Sequence, residues 1–335
     1  MKIRILLSGL AAFTSLKAFA NETPAYLGVV NKADGTASFI NLETQQTDLV
    51  INVGYFPHEI TSSPDGSKVF VTNYGKEHVR STSPKNHPGN TVSIIDMKNK
   101  SKSGELQLGT DACAPHGVLT SADGKRIYIT CEDRQEVLVI DAVKNEISHS
   151  VPTLQAQSHM VTITADESRA YTANFSPGTV TALDLKNRTI LKQISVGPGT
   201  EGVALSPNKP FVYATSVLGG FLVKIDTNTL EIVQKVATDR SPVRVLPSPD
   251  GKLLVVNNSA DGTVQIFDAD TLDLIKRIKV GRQPIGLVVP NNDYAYTANM
   301  LDNSVSVINL KTMQVTSELK TGSKPDGITY IPASK

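Results

Sequence analysis

The sequence has no tryptophan, only two cysteines and no long uninterrupted run of apolar residues. A transmembrane helix needs roughly 20 consecutive apolar residues, and the apolar stretch at residues 5–16 is too short for that. The formal net charge of +1 comes from 33 basic and 32 acidic residues. This balance leaves no excess of positive charge to attract nucleic acid or an anionic membrane. We therefore expect no transmembrane segment and no nucleic-acid partner.

Several motifs that mark enzymes are also absent. The sequence contains no Gly-x-Ser-x-Gly elbow, no phosphate-binding P-loop, no His-Glu-x-x-His and no Cys-x-x-Cys-His. The glycine-rich pieces fall at turns and not in front of helices. The sequence thus contains no direct evidence for catalysis and favours a non-enzymatic protein without deciding the question.

The N-terminus has the pattern of an export signal. Lys2 and Arg4 precede the apolar run at residues 5–16, and Ala-Phe-Ala at residues 18–20 supplies a small-x-small cleavage site. We expect residues 1–20 to be removed, leaving a single mature domain at residues 21–335. Loss of Lys2, Arg4 and Lys17 changes the net charge from +1 to −2. The expected product is a soluble monomer in the periplasm or outside the cell.

The mature sequence is built from repeats of 40 to 50 residues, a period typical of propellers and solenoids. One landmark is a short strand that often ends in Asn, and the next is an alternating strand that ends in Asp or Asn, a pattern that favours β-strands with two unlike faces. The third landmark is a strand that usually begins with Pro and is followed, six residues later, by a Ser-Pro-Asp-Gly-like turn. The first landmark recurs at residues 70–73, 128–131, 171–174, 213–216, 255–258 and 296–299, with a weaker copy at 28–31.

Counting the landmarks predicts seven blades. Six complete units are followed by residues 324–332, which contain only the first strand of a seventh. Residues 25–53 supply a second, third and fourth strand with no first strand before them. We expect the C-terminal strand to complete the N-terminal blade, because this pairing removes open sheet edges. The predicted fold is all-β: a seven-bladed β-propeller with four antiparallel strands in each blade.

These repeats resemble the YVTN family of seven-bladed propeller repeats, and the resemblance covers essentially the whole mature chain. The family occurs in exported and cell-surface proteins, so the resemblance implies the propeller fold and export. It implies little about function, because a propeller is a scaffold that hosts many activities.

One loop departs from the repeat. The second and third strands are usually five positions apart, as from Asn174 to Thr179, but the interval from Asn73 to Thr91 is 13 residues longer. The insertion, at residues 75–90, is polar, and a lone long loop on a regular scaffold is a reasonable place for function. Strand order puts it on the face where the innermost strands begin. We consider it a candidate partner-binding loop, with contacts from His78, Arg80, Lys85 and His87.

Three histidines share one position of the repeat. The residue after the first position of each innermost strand is His58, His116, His159, Glu201, Val243, Ile285 and Asp326. With six histidines in the sequence, chance would place about 0.13 in this column. Innermost strands surround the central channel, so these side chains are expected at its mouth.

Two interpretations of the column stay open. Duplication of an ancestral Pro-His would leave imidazoles that only bind the next blade's backbone. Alternatively, His58, His116 and His159 hold copper, zinc or iron, with Glu59, Glu201 or Asp326 nearby, since imidazole is a common ligand of transition metals.

The two cysteines, Cys113 and Cys131, flank the predicted hairpin turn near residue 122. Residues placed symmetrically about such a turn face each other at a distance that suits a disulfide. An oxidising compartment favours that bridge. The alternative is that Cys113 and His116, spaced Cys-x-x-His, are metal ligands.

Three functions remain open at this stage. The first is a non-enzymatic scaffold that binds a protein or small ligand on the face with the 75–90 loop and the channel-mouth histidines. The second is a periplasmic accessory protein that binds a metal or a haem-type cofactor through His58, His116 and His159. The third is a metal-dependent propeller lyase or lactonase, in which His58, Glu201 and Asp326 would move protons.

Overall fold

The computed structural model describes residues 24–76 and 87–334, which form seven four-stranded antiparallel sheets. No helix that could cross a membrane occurs among these residues. We number the blades in chain order and give the strands of each from the channel outwards. Blade 1 contains β28 (Pro325–Ile331), β1 (Tyr26–Asn31), β2 (Thr36–Asn41) and β3 (Gln46–Asn52); blade 2 contains β4 (Pro57–Ser62), β5 (Lys68–Asn73), β6 (Thr91–Asp96) and β7 (Ser101–Gln107); blade 3 contains β8 (Pro115–Thr120), β9 (Arg126–Cys131), β10 (Glu136–Asp141) and β11 (Glu146–Pro152); blade 4 contains β12 (Ser158–Ile163), β13 (Arg169–Asn174), β14 (Thr179–Asp184) and β15 (Thr189–Ser195). Blade 5 contains β16 (Thr200–Leu205), β17 (Phe211–Ser216), β18 (Phe221–Asp226) and β19 (Glu231–Ala237); blade 6 contains β20 (Pro242–Pro247), β21 (Leu253–Asn258), β22 (Thr263–Asp268) and β23 (Leu274–Lys279); blade 7 contains β24 (Pro284–Val288), β25 (Tyr294–Asn299), β26 (Ser304–Asn309) and β27 (Gln314–Lys320).

The ring closes as the repeat count predicts. Strand β28 pairs antiparallel with β1, with Tyr26 opposite Ile331 and Leu27 opposite Tyr330. The C-terminal strand is therefore the innermost strand of the blade that the N-terminus begins. This confirms the seven-bladed fold and the mode of closure.

The hydrophobic core lies between the faces of adjacent blades. In one cluster, Phe70 and Val92 of blade 2 pack with Ile129 and Leu138 of blade 3. The second and third strands are buried on both faces, whereas the outer strands alternate between exposed and partly buried residues. Each blade thus depends on its neighbours to bury its surface, and the innermost strands are held in a fixed ring.

The Asn at the end of the second strand has a structural role. Its side-chain amide donates hydrogen bonds to hydroxyl groups of the third strand, as Asn73 does to Thr91 (2.9 Å) and Ser93 (3.1 Å). Asn174 makes the same pair of bonds in blade 4. In blade 3 this position is Cys131, so the bond is replaced by another link.

That link is the disulfide between Cys131 and Cys113, which confirms the predicted pairing. The expectation that Cys113 lies directly opposite Cys131 in the ladder was wrong by two residues. Cys131 pairs in the ladder with Pro115, and Cys113 lies before the strand, where Ala114 has a positive φ of 49°. The turn at Ala114 brings the two Cα atoms to 4.7 Å. The bridge consumes both thiols, so Cys113 is not available as a metal ligand beside His116.

Glycines bring the innermost strands together at the site described below. A Cβ atom on Gly327 would lie 2.4 Å from the carbonyl oxygen of His58, and one on Gly286 would lie 2.0 Å from that of Asp326. Any larger residue would push these backbones apart, so glycine is required for the close approach. The spacing of the channel-mouth side chains follows from this tight contact.

Candidate functional site at the channel mouth

The predicted histidine column forms a contiguous buried cluster at one end of the channel. His58, His116 and His159 are the second residues of the innermost strands of three successive blades. The ring centroids of His58 and His116 are 3.9 Å apart, and those of His116 and His159 are 3.5 Å apart. His116 is fully buried, and His58 and His159 are nearly so. The structure therefore brings the three imidazoles into direct contact.

The closest approach in this cluster joins two ring nitrogens. Nε2 of His116 lies 3.2 Å from Nε2 of His58. Within the described residues, Nδ1 of each ring has no hydrogen-bond partner. Of the carboxylate oxygens around Nδ1 of His58, Oδ2 of Asp326 lies at 3.5 Å and Oε1 of Glu59 at 3.8 Å. Buried polar atoms are normally paired, so these unpartnered nitrogens distinguish the cluster from ordinary core histidines.

His159 is in a different electrostatic environment. Its Nδ1 lies 2.6 Å from Oε1 of Glu132, and its Nε2 lies 3.7 Å from Oε1 of Glu201. Burial alone would lower the pKa of His159, but the two carboxylates outweigh burial and raise the pKa to about 9. His159 is therefore the charged imidazole of the three at neutral pH.

His58 and His116 behave in the opposite way. Burial lowers the pKa of both side chains well below its ordinary value, and the neighbouring positive charges of His159 and Arg244 lower it further. Both rings are therefore neutral at neutral pH. A neutral imidazole has a free lone pair, which is the form that binds a metal ion.

The predicted carboxylates complete the cluster. Glu201 lies 2.9 Å from Nη1 of Arg244, and Asp326 lies 3.2 Å from Nζ of Lys32. Burial would raise the pKa of Glu201, but His159 and Arg244 together lower it. The second oxygen of Asp326, Oδ1, has no partner among the described residues. Glu201 and Asp326 therefore lie in the cluster, as predicted, but each is already paired with a cation.

Four residues of the cluster were missed by the sequence analysis: Lys32, Tyr74, Glu132 and Arg244. Lys32, Tyr74 and Glu132 immediately follow the second strand in blades 1, 2 and 3, so they form a second column that the repeat alignment could have shown. Burial raises the pKa of Tyr74, whose hydroxyl donates to Glu132 (2.7 Å). The signal for Arg244 was a charged residue where four other blades have glycine.

The charges of the cluster do not balance. Its carboxylates are Glu59, Glu132, Glu201 and Asp326, and its cations are Lys32, Arg244 and protonated His159. With His58 and His116 neutral, the ionised cluster has four negative and three positive charges. A buried site with net negative charge and two neutral imidazoles favours an additional cation.

Of the two histidines in the long loop, the structure describes only His87, which is not part of this cluster. Lys76, at the start of the insertion, pairs with Asp133 of blade 3 (2.5 Å), and His87 is exposed. The insertion therefore begins and ends on the face of the channel mouth. The candidate contacts His78, Arg80 and Lys85 lie outside the described residues.

Comparison with known families and structures supports the architecture. Residues 124–249 match the family model described as "Cytochrome D1 heme domain". This segment covers less than half of the chain and includes Glu132, His159, Glu201 and Arg244, but not His58 or His116. No curated protein matches.

Two solved structures illustrate the similarity of fold. A Kuenenia stuttgartiensis hydrazine synthase structure is 20% identical, with a TM-score of 0.74 over 90% of this chain and 99% of that one. A functionally unknown protein from Desulfotomaculum acetoxidans is 15% identical, with a TM-score of 0.77 over 92% of this chain and 99% of that one. At these identities the similarity shows the fold alone.

Proposed function

We propose that this protein binds a divalent transition-metal ion at the channel mouth, with Nε2 of His58 and Nε2 of His116 as ligands. The observation that carries the proposal is the 3.2 Å distance between these two nitrogens. Two nitrogens bound to a tetrahedral zinc ion at 2.0–2.1 Å lie about 3.3 Å apart. The two atoms are thus already at the separation that a shared metal ion requires.

The alternative interpretation of this contact is a hydrogen bond between the two imidazoles. In a neutral pair, one Nε2 donates and the other accepts, so one ring would carry its proton on Nδ1 and the other would have a bare Nδ1. Nδ1 of His116 stays buried without a partner among the described residues in either arrangement, so the excess negative charge of the cluster, and not this atom, favours the metal ion over the hydrogen bond. With a metal ion on both Nε2 atoms, Nδ1–H of His58 faces Asp326, and carboxylates commonly orient metal-binding histidines in this way.

A third ligand is available from Glu59. Ligand atoms of His58, Glu59 and His116 all lie within 4.8 Å of one another. Oε1 of Glu59 also accepts from Arg244 at 2.5 Å, so a metal ion would share this carboxylate with the guanidinium. His159 is better suited to remain a charged neighbour than to act as a ligand, because its lone pair is protonated at neutral pH. Imidazole and carboxylate donors together suit zinc, copper or iron.

The partial match to a haem domain model suggests a haem-type cofactor as the alternative to a metal ion. The cluster does not fit a haem between its histidines. Axial nitrogens on opposite sides of one iron would be about 4 Å apart, and the macrocycle needs apolar walls. Here the imidazoles are surrounded by Glu59, Glu132, Glu201, Arg244 and Lys32. We therefore propose no haem-dependent function.

The broader proposals about this protein rest on sequence. We propose that it is an exported member of the YVTN repeat family, cleaved after residue 20, with residues 21–335 as the mature domain. The disulfide supports export, since such bonds persist in oxidising compartments. Recognition of a protein partner through residues 75–90 and a lyase or lactonase activity remain predictions, and the pairing of Glu201 and Asp326 with cations does not favour proton transfer by them.

Elemental analysis of the untagged mature protein tests the proposal. After loading with zinc, copper or iron(II) and desalting, we expect one ion per chain in the wild type and less than 0.1 in His58→Ala and His116→Ala. His149→Ala is the matched control, because His149 lies on the outer strand β11, and it should retain the ion. Absence of metal from the loaded wild type, or equal metal in all variants, would reject the site. A Soret band on addition of haem, lost in His58→Ala, would also overturn the proposal in favour of haem.

A further inference from the structure

A separate pocket lies at the other end of blades 4 and 5. It has a volume of about 560 Å³ and is lined by the hairpin turns that follow the innermost strands of these blades. His159 is the second residue of β12, whereas the pocket begins at Ile163, where β12 ends. We propose that this pocket, through Arg169, Tyr171, Ser206 and Lys209, binds the oxyanion group of a small molecule, either a carboxylate or a phosphate.

The first evidence is a buried hydroxyl group that makes no hydrogen bond to the described residues. Tyr128, Tyr171 and Tyr213 occupy the same position on the second strand of blades 3, 4 and 5. The hydroxyl of Tyr128 donates to Glu167 of the next blade (2.5 Å), and that of Tyr213 donates to the carbonyl of Ala269 (3.0 Å). The hydroxyl of Tyr171 is buried, makes no hydrogen bond in the described part of the chain and lies beside the Arg169 guanidinium.

The sequence explains why Tyr171 differs. Glu167, the acceptor for Tyr128, is the third residue after Thr164 in the turn of blade 4. The equivalent residue in blade 5 is Lys209, the third after Ser206. Lysine cannot accept a hydrogen bond, and its Nζ instead contacts Asp270 of blade 6. Blade 5 therefore has a basic donor where blade 4 has an acidic acceptor, and the Tyr171 hydroxyl has no carboxylate to donate to.

The second evidence is that the pocket collects donors. Ser206 Oγ is also buried without a partner among the described residues. Arg169 donates one hydrogen bond from Nη1 to the carbonyl of Thr227 (2.6 Å), which leaves its other N–H groups for a ligand. Asp166 is the one acidic residue of the lining, and its carboxylate already accepts from Ser168. Two hydroxyls and a guanidinium, beside the Lys209 ammonium that contacts Asp270, suit an oxyanion, which offers acceptors only.

Isothermal titration of the mature protein with inorganic phosphate, and separately with succinate, tests this site. At constant ionic strength we expect one site per chain for at least one of the two anions. The key variant is Lys209→Glu, which places in blade 5 the residue type that blade 4 has at Glu167 and should weaken binding at least tenfold. Lys125→Glu makes the same charge change in an exposed turn of blade 3, outside the pocket, and should change affinity less than twofold.

Tyr171→Phe separates binding from folding. The Tyr171 hydroxyl has no partner, so its removal should leave the melting temperature of the anion-free protein unchanged and weaken anion binding at least threefold. Equal affinity in the wild type and Lys209→Glu, or no binding of either anion at 50 mM, would overturn the proposal. A lower melting temperature of Tyr171→Phe with unchanged affinity would do so as well. Tighter binding of phosphate would identify phosphate esters as the ligand class, and tighter binding of succinate would identify carboxylic acids.

Discussion

Arg244 donates a hydrogen bond from Nη2 to Oε1 of Glu59 across the central channel, at 2.5 Å, and so joins blade 6 to blade 2 on the far side of the ring. Its Nη1 donates to Glu201 of blade 5 at 2.9 Å. The carboxylates raise the pKa of Arg244 although burial alone would lower it. One guanidinium thus links three blades and neutralises two of the carboxylates that surround the histidines.

Replacing Arg244 with Met should destabilise the fold strongly. Glu59 and Glu201 would remain buried without their cation, and loss of one partner of a buried ion pair costs about 3–5 kcal/mol. Urea unfolding measures this loss. The matched control is Arg277→Met, since Arg277 is more than half exposed in its pair with Asp239 and should contribute less than about 1 kcal/mol. Similar losses in both variants would show that Arg244 has no special role.

His159 should make stability depend on pH on the alkaline side. Its folded pKa of about 9 lies above the unfolded value of 6.5, so the stabilisation is complete below pH 6.5 and disappears as the pH rises through 9. The total effect is of the order of 3 kcal/mol. We expect the free energy of unfolding of the wild type to fall between pH 7 and 10 by more than that of His159→Gln.

The control for this pH effect is His149→Gln. Its free energy of unfolding should fall between pH 7 and 10 in parallel with that of the wild type. Its pKa is lowered by partial burial, so His149 contributes nothing to the alkaline loss. If the wild type and His159→Gln lose stability equally between pH 7 and 10, His159 is not held in its charged form by Glu132 and Glu201.

The repeat made the fold and much of the site predictable. A fixed period assigns each residue to a strand and a depth, so His58, His116 and His159 could be placed at one level of the channel without coordinates. The division of their charge states could not be predicted, because it depends on Glu132, which lies outside the column, and on which carboxylate faces which ring. The link from Arg244 to Glu59 was hidden for a related reason: the two blades are far apart in sequence, and only the closed ring brings these side chains together across the channel.

The cysteine pair shows the same limit on a smaller scale. Symmetry about the hairpin predicted the correct partners but the wrong register, because symmetry about residue 122 assumes a regular ladder. The positive φ at Ala114 and the bulge between Pro115 and Val118 displace Cys113 by two residues. Local backbone irregularity of this kind leaves little trace in a strand pattern.

The disulfide should stabilise the blade that carries His116. For a sequence separation of 18 residues, the chain-entropy model predicts about 3 kcal/mol. The Cys113→Ala, Cys131→Ala double variant should lose about this amount in urea unfolding, and the unreduced wild type should show no titratable thiol in denaturant. Two titratable thiols in protein isolated without reductant would contradict the bridge.

Removing the C-terminal strand should abolish the closed ring. Deletion of residues 323–335 takes away β28, which leaves β1 with an unpaired edge, and removes Asp326 from the channel mouth. It also removes Ile328, which packs with Leu27, Val29 and Tyr296 between blades 1 and 7. We expect aggregation or loss of the cooperative unfolding transition, measured by circular dichroism in urea. Deletion of residues 333–335 alone leaves β28 complete and should preserve the transition, whereas a normal transition after the longer deletion would show that blade 1 does not need the C-terminal strand.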